Sequence, residues 1–196
     1  MNGADPTGTE CVNGSDGNTR CVTAQYDVSF STPRGFQNTY PQADDYHAYD
    51  TPAVSPLGES ATRDWVRENP TPAAVQGAAT PEGTLNDATP AVGGLLPVRI
   101  SPVVSITTTN HVTGHQVVVN VTLPGHPLGN GILVRDTMPG PNGTSVIQNW
   151  GEGNGAFQAP GSPLAGPING VWAGHTPPAP TAPGSYDLCS AHPGAC

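Results

Sequence analysis

Residues 115–123 read HQVVVNVTL, and their alternation decides the fold class. Val117, Val119, Val121 and Leu123 recur with a period of two, the pattern of a half-buried strand. Working outward, residues 103–109 (VVSITTT) supply its hairpin partner. Residues 132–137 (ILVRDT) and 144–150 (TSVIQNW) make a second hairpin across the turn MPGPNG at 138–143. Between the hairpins lies PGHPLGNG at 124–131, and after them the glycine-rich GEGNG at 151–155. Toward the N-terminus a hairpin is expected around residues 13–18. The alternation of Val22, Ala24, Tyr26, Val28 and Phe30 then predicts a further strand over 22–30. One helix is expected: Ser60 can cap it, Leu57, Ala61 and Trp65 recur at a spacing of four, and Asn69-Pro70 stops it. Residues 32–56 and 71–97 read as loops, and Trp172 as the last core anchor. The Pro-rich TPPAPTAPGS opens a flexible tail over 176–196. The expected architecture is therefore mainly β: a small antiparallel sheet centred on residues 98–158, one short helix, long Pro/Gly-rich loops and a flexible C-terminal tail.

Composition narrows the function classes. Among 196 residues there are 25 Gly and 23 Pro, only 35% hydrophobic residues, and a net charge of −9. That length suits one domain. No apolar run approaches the ~20 residues of a membrane-spanning helix, and MNGADPTGTE has no signal-peptide core. All six cations are Arg (20, 34, 63, 67, 99 and 135), as a GC-rich genome or escape from lysine-directed tagging would produce. With no basic stripe to neutralise phosphates, non-specific DNA binding is not expected. Four cysteines form two end pairs, Cys11/Cys21 and Cys189/Cys196, and neither spacing is that of a zinc site. Two short-loop disulfides and four free thiols both remain open; the first would suit an oxidising compartment.

The opening Asp5-Pro6-Thr7-Gly8 resembles the Asp-Pro-x-Gly signature that ends the shared core of bacterial Rhs (rearrangement hotspot) proteins, with Thr9 where that family usually carries Leu. Beyond it the chain is similar to toxin-bearing C-terminal modules of those proteins: TPRGFQNTYPQADDYHAYDTP, NDATP, VVVNVTLPGHPLGNGILVRD and IQNWGEGNGAFQAPGS. The resemblance implies a junction over residues 1–10, a toxin domain over 11–175 and the tail beyond it. It implies a fragment released from an enclosing Rhs shell, delivered through an injection system such as type VI secretion, and opposed by a cognate immunity protein. The target would be a neighbouring cell, in its cytoplasm or its periplasm.

The resemblance names a role and not a reaction, so the residues are argued separately. His126, on a loop stiffened by Pro124 and Pro127, suits a general acid or base. Arg135 sits within an apolar strand, and Glu152 lies between two glycines that permit close approach. Glu152 as base, Arg135 as phosphorane stabiliser and His126 as acid would make a metal-independent ribonuclease, with RNA as substrate and Asn149, Trp150 and Asp136 lining the site. A structural Arg135–Glu152 ion pair is the competing reading, as is a His126 that merely ends a strand. An ADP-ribosyltransferase-like order, Arg135, Thr144-Ser145, Glu152, is compressed. His111, His115 and His126 offer three imidazoles, but an extended strand of ~3.3 Å per residue parts the last two by roughly 25 Å. No metal or organic cofactor is therefore expected, and no nucleophile elbow, Walker loop or dinucleotide fingerprint occurs. The non-enzymatic alternative is a secreted β-rich binding module, for which the sequons at Asn13, Asn120 and Asn142 would be glycosylation sites.

Overall fold

The computed structural model describes residues 10–73, 76–89, 101–156, 161–163 and 165–180. The Asp5–Gly8 signature and the Cys189/Cys196 pair lie outside those residues. The architecture is mainly β, with two antiparallel sheets where one was expected. The first is a meander of β1 (Glu10–Asn13), β2 (Asn18–Val22) and β3 (Asp27–Ser31). The second contains β4 (Tyr46–Ser55), β5 (Thr84–Asp87), β6 (Pro102–Thr109), β7 (Gln116–Thr122), β8 (Asn130–Pro139) and β9 (Ser145–Asn154) in the order β4-β9-β8-β7-β6-β5. Two helices, α1 (Glu59–Glu68) and α2 (Ala165–Gly174), complete it.

β7 explains why the valine run decides the fold. Val117, Val119 and Val121 face the small sheet, in a core with Tyr26, Val28, Phe30, Ile132 and Trp150. Val118 faces the other way, toward Val66 of α1 and Ile147. A strand covered on both faces tolerates consecutive apolar residues where a half-exposed one would alternate. Asn120, on the helix side, is 4% exposed and hydrogen-bonded to the Pro70 carbonyl and the Ser105 hydroxyl, so its sequon is no glycan acceptor in the folded chain.

Three expectations are corrected. Residues 22–30 are not one strand: the Thr23 hydroxyl accepts from the amides of Gln25 and Tyr26, closing a turn between β2 and β3. The supposed loops over 32–56 and 71–97 contain the ten-residue β4 and the four-residue β5. β4 is an edge strand, where Pro52 lacks only an N–H that no neighbour needs. Where one helix was expected there are two: α2 follows Pro160, and its Ile168 and Trp172 are buried. The expected helix is present as α1, capped by Gly58 rather than Ser60 and ended at Asn69. Cys11 and Cys21 stand opposite each other on β1 and β2 and are disulfide-bonded.

Candidate functional site

Strand register assigns each expected site residue to a face. β8 and β9 pair so that Arg135 lies opposite Asn149, and Ile132 opposite Glu152. Glu152 is three residues beyond Asn149, so alternation sends the two side chains to opposite faces. Arg135 and Asn149 point toward the helices; Glu152, Trp150 and Asp136 point toward the small sheet.

Arg135 is 1% exposed. Its Nε donates to Asn149 Oδ1 at 3.0 Å, Nη1 to the carbonyls of Asn69 (2.9 Å) and Pro70 (3.3 Å), and Nη2 to the His175 carbonyl at 3.0 Å. The guanidinium carbon lies 6.0 Å from the Trp65 ring centroid and 5.5 Å from that of Trp172. No carboxylate pairs with it among the described residues. Burial pushes its pKa down to about 9, which leaves it charged at neutral pH. Asn149, expected to touch substrate, instead orients this cation, and its own Nδ2 donates to the Thr51 carbonyl. With four of its five N–H hydrogens on protein acceptors, Arg135 clasps the end of α1 and the end of α2 to the sheet.

Glu152 is 3% exposed, accepting from the Thr39 hydroxyl at 3.0 Å and the Tyr46 hydroxyl at 3.2 Å. Its Oε1 also lies 3.4 Å from the bridged Cys11 sulfur. Its carboxylate makes no ion pair with Arg135, because the sheet stands between them. Trp150 packs on Tyr26, ring centroids 6.0 Å apart, and burial followed by the Glu152 charge raises the Tyr26 pKa well above 10. Asp136, fully buried, accepts from Asn110, Thr113 and the Thr137 amide, and lies 3.0 Å from His115 Nδ1. It secures the β6–β7 turn to β8. The flanking glycines of Glu152 also have a packing cause. A Cβ on Gly151 would meet the Tyr49 ring at 2.1 Å, and one on Gly153 would meet the Asn130 carbonyl oxygen of β8 at 2.5 Å before His47 Cε1 at 3.3 Å. Gly151 thus makes room for the Tyr49 ring, which lies 8° from parallel to that of His47, and Gly153 for the close approach of the β8 main chain.

His126 stands apart from both. The Leu128 amide donates to its Nδ1 at 3.2 Å, so the hydrogen resides on Nε2. Burial lowers its pKa to about 4 against the opposing pull of Asp87, so it is neutral at pH 7. It borders a cleft of about 600 Å³, counted to its open mouth, beneath α2. Tyr49, His47, Leu133, Ile168 and Trp172 form its other walls, and Glu152 bounds it by main chain alone. This cleft is the candidate site. Its chemistry is apolar contact plus a fixed Nε2–H donor. His111 and His115 lie across β7 from His126: the His111 amide binds the Asp27 carbonyl and His115 serves Asp136. Among the described residues no three His, Cys, Asp or Glu side chains gather as metal ligands.

The expected trio of His126, Arg135 and Glu152 therefore does not converge, and the acid–base ribonuclease site built on it is withdrawn. What sequence reading missed are His47, Tyr49 and α2. The available signal was the aromatic spacing in YHAYD of β4, opposite a strand carrying glycine at every second position. No helix of the described residues is long and apolar enough to cross a membrane. No protein-family model, no curated protein and no solved structure matches this chain.

Proposed function

We propose that this chain is the toxin-bearing C-terminal module of a Rhs-type secreted effector, delivered into neighbouring bacteria and active in an oxidising compartment, the periplasm. The carrying observation is the Cys11–Cys21 bridge, which closes the first hairpin after the Asp5–Gly8 signature. Cytosolic thiol reductants would open such a bridge, whereas the periplasm preserves it. The ligand would occupy the cleft beneath α2, with the His126 Nε2–H oriented toward an acceptor. An immunity protein in the producer's periplasm and an Rhs shell before release belong to the same reading.

Expression in a bacterial host with and without a periplasmic signal tests it. Growth arrest is expected only with the signal, and is relieved by His126→Ala and by the Cys11→Ser/Cys21→Ser pair. Arrest that does not need the signal would overturn the compartment. Harmless expression in both places would overturn the effector reading and leave the second one, a non-enzymatic β-rich binding module. That second reading is favoured by the separation of His126, Arg135 and Glu152, which leaves the described residues without a shared acid–base set.

A further inference from the structure

Alternation along the β8–β9 hairpin turns residues 131, 133, 151 and 153 toward α2, and all but Leu133 are glycines. The Tyr49 ring fills the space over Gly151, whereas Gly131 and Gly153 border the cleft beneath α2 as bare main chain. Leu133, Ile168 and the rings of Tyr49 and Trp172 stand around that floor. Among the described residues no charged side chain reaches it, since Glu152 is turned to the other face. Two polar side chains of the wall are already committed. Asn120 accepts from Ser105 and donates to the Pro70 carbonyl, while Thr122 both accepts from and donates to Gly131. His126 is different. The Leu128 amide holds its Nδ1 against its own loop, and Nε2, at the far edge of the ring, meets no acceptor among the described residues. Nε2 is not closed off: the ring is half-buried, lines the cleft, and is reached there by water.

We propose, on the reading of this cleft as the functional site, that it binds a small uncharged aromatic ring carrying a carbonyl, with the ring on the glycine floor and the carbonyl oxygen on His126 Nε2–H. Delivery as an effector is not required for it. The chemistry of the ligand follows from the walls. A phosphate, carboxylate or amine would lose its hydration with no opposite charge to replace it. A saccharide brings several hydroxyl donors, and the acceptors of Asn120 and Thr122 are taken. An alkyl chain would fill the apolar space but leave the Nε2–H stripped of water and unpaired. A carbonyl oxygen accepts that hydrogen, and a flat ring packs on bare main chain and against Tyr49 and Trp172.

The purified, oxidised chain is titrated by calorimetry and ligand-observed NMR with acetophenone, with ethylbenzene (same shape, no acceptor), with 2-octanone (no ring), and with benzoate and benzylamine. Saturable binding of acetophenone is expected, about fivefold tighter than that of ethylbenzene, as one neutral hydrogen bond implies. 2-Octanone should bind more weakly, and the two ions not at all. His126→Phe keeps an apolar wall and removes the donor, so the advantage of the ketone over ethylbenzene should vanish. Val171→Trp adds bulk to the wall that α2 supplies and should abolish binding of every probe. Leu85→Ser, at a 70% exposed position on β5, should change nothing. If His126→Phe fails to fold, acetophenone against ethylbenzene on the unaltered chain still decides. No binding of acetophenone, equal binding of ethylbenzene, tighter binding of 2-octanone, benzoate or benzylamine, or a ketone advantage that survives His126→Phe would each overturn the ligand class. None of these outcomes touches growth arrest, so the ligand class can fall while the effector reading stands; binding that ignores Val171→Trp would remove the cleft itself.

Discussion

On the face of the large sheet covered by β1–β3, the buried charges are the carboxyl groups of Asp136 and Glu152; on the face covered by α1 and α2, the buried charge is the guanidinium of Arg135. The two are held by different means. Hydroxyls of Thr39 and Tyr46 serve Glu152, so its environment is written in side chains. Main-chain carbonyls of residues 69, 70 and 175 serve Arg135, so its environment is written in the path of the chain. A charge held by side chains fixes local detail. A charge held by carbonyls fixes where remote segments run, and its removal strands several acceptors together.

The largest effect that could break this contrast is expected from Arg135→Met. It leaves Asn149 Oδ1 and the Asn69 and His175 carbonyls without this donor, while the Pro70 carbonyl keeps Asn120 Nδ2, and urea unfolding should show a loss of about 3–5 kcal/mol. Arg135→Lys should recover only part of it, because one ammonium lacks the planar fork. A loss under about 1 kcal/mol would mean that apolar contacts alone hold the helices. Glu152→Gln should cost less, about 1–2 kcal/mol in the same assay, since one amide oxygen still accepts while the amide nitrogen confronts a hydroxyl. A cost equal to that of Arg135→Met would erase the distinction.

The smallest effect is a pH dependence from the helix side. His126 titrates at about 4 and His175 at about 3, the second lowered by burial and then by Arg135. Both lie below the ~6.5 of a free imidazole, so as pH falls the unfolded chain takes up protons first. Their contribution is complete above that value and is lost on acidification toward the folded pKa. Between about pH 7.5 and 6 each ring accounts for at most about 1 kcal/mol, less where solvent reaches it. Melting curves across that range should flatten with His175→Gln, and NMR titration should find the His175 pKa raised in Arg135→Met.

The same contrast explains what could be read from the sequence. β7 and α1 were legible because their signals are local: a valine run bounded by polar residues, and a spacing of four ended by Asn69-Pro70. β4 was not, because an edge strand carrying Tyr, His, Asp and Pro lacks the apolar alternation of a covered one. α2 was hidden by Pro167 and its glycines, poor helix formers that tertiary contacts of Ile168 and Trp172 override. His126, Arg135 and Glu152 were each identifiable as unusual residues, but their common site depended on the register across 138–144. That turn contains a short 3-10 segment with Asn142 at φ 55°, and it sets Pro139 opposite Ser145. Such a register places Arg135 and Glu152 on different faces, and nothing in the spacing alone reveals it.

The Arg135 clasp also imposes an order of events on biogenesis. Its acceptors come from residues 69, 70, 149 and 175, a span that covers most of the described residues. Emerging from a ribosome or a translocation channel with its N-terminus first, the polypeptide cannot complete this shell until His175 is out. Until then Nη2 lacks the His175 carbonyl and α2 stays undocked, whereas α1 can already rest on β7 through Val66 and on Arg135 through the carbonyls of residues 69 and 70.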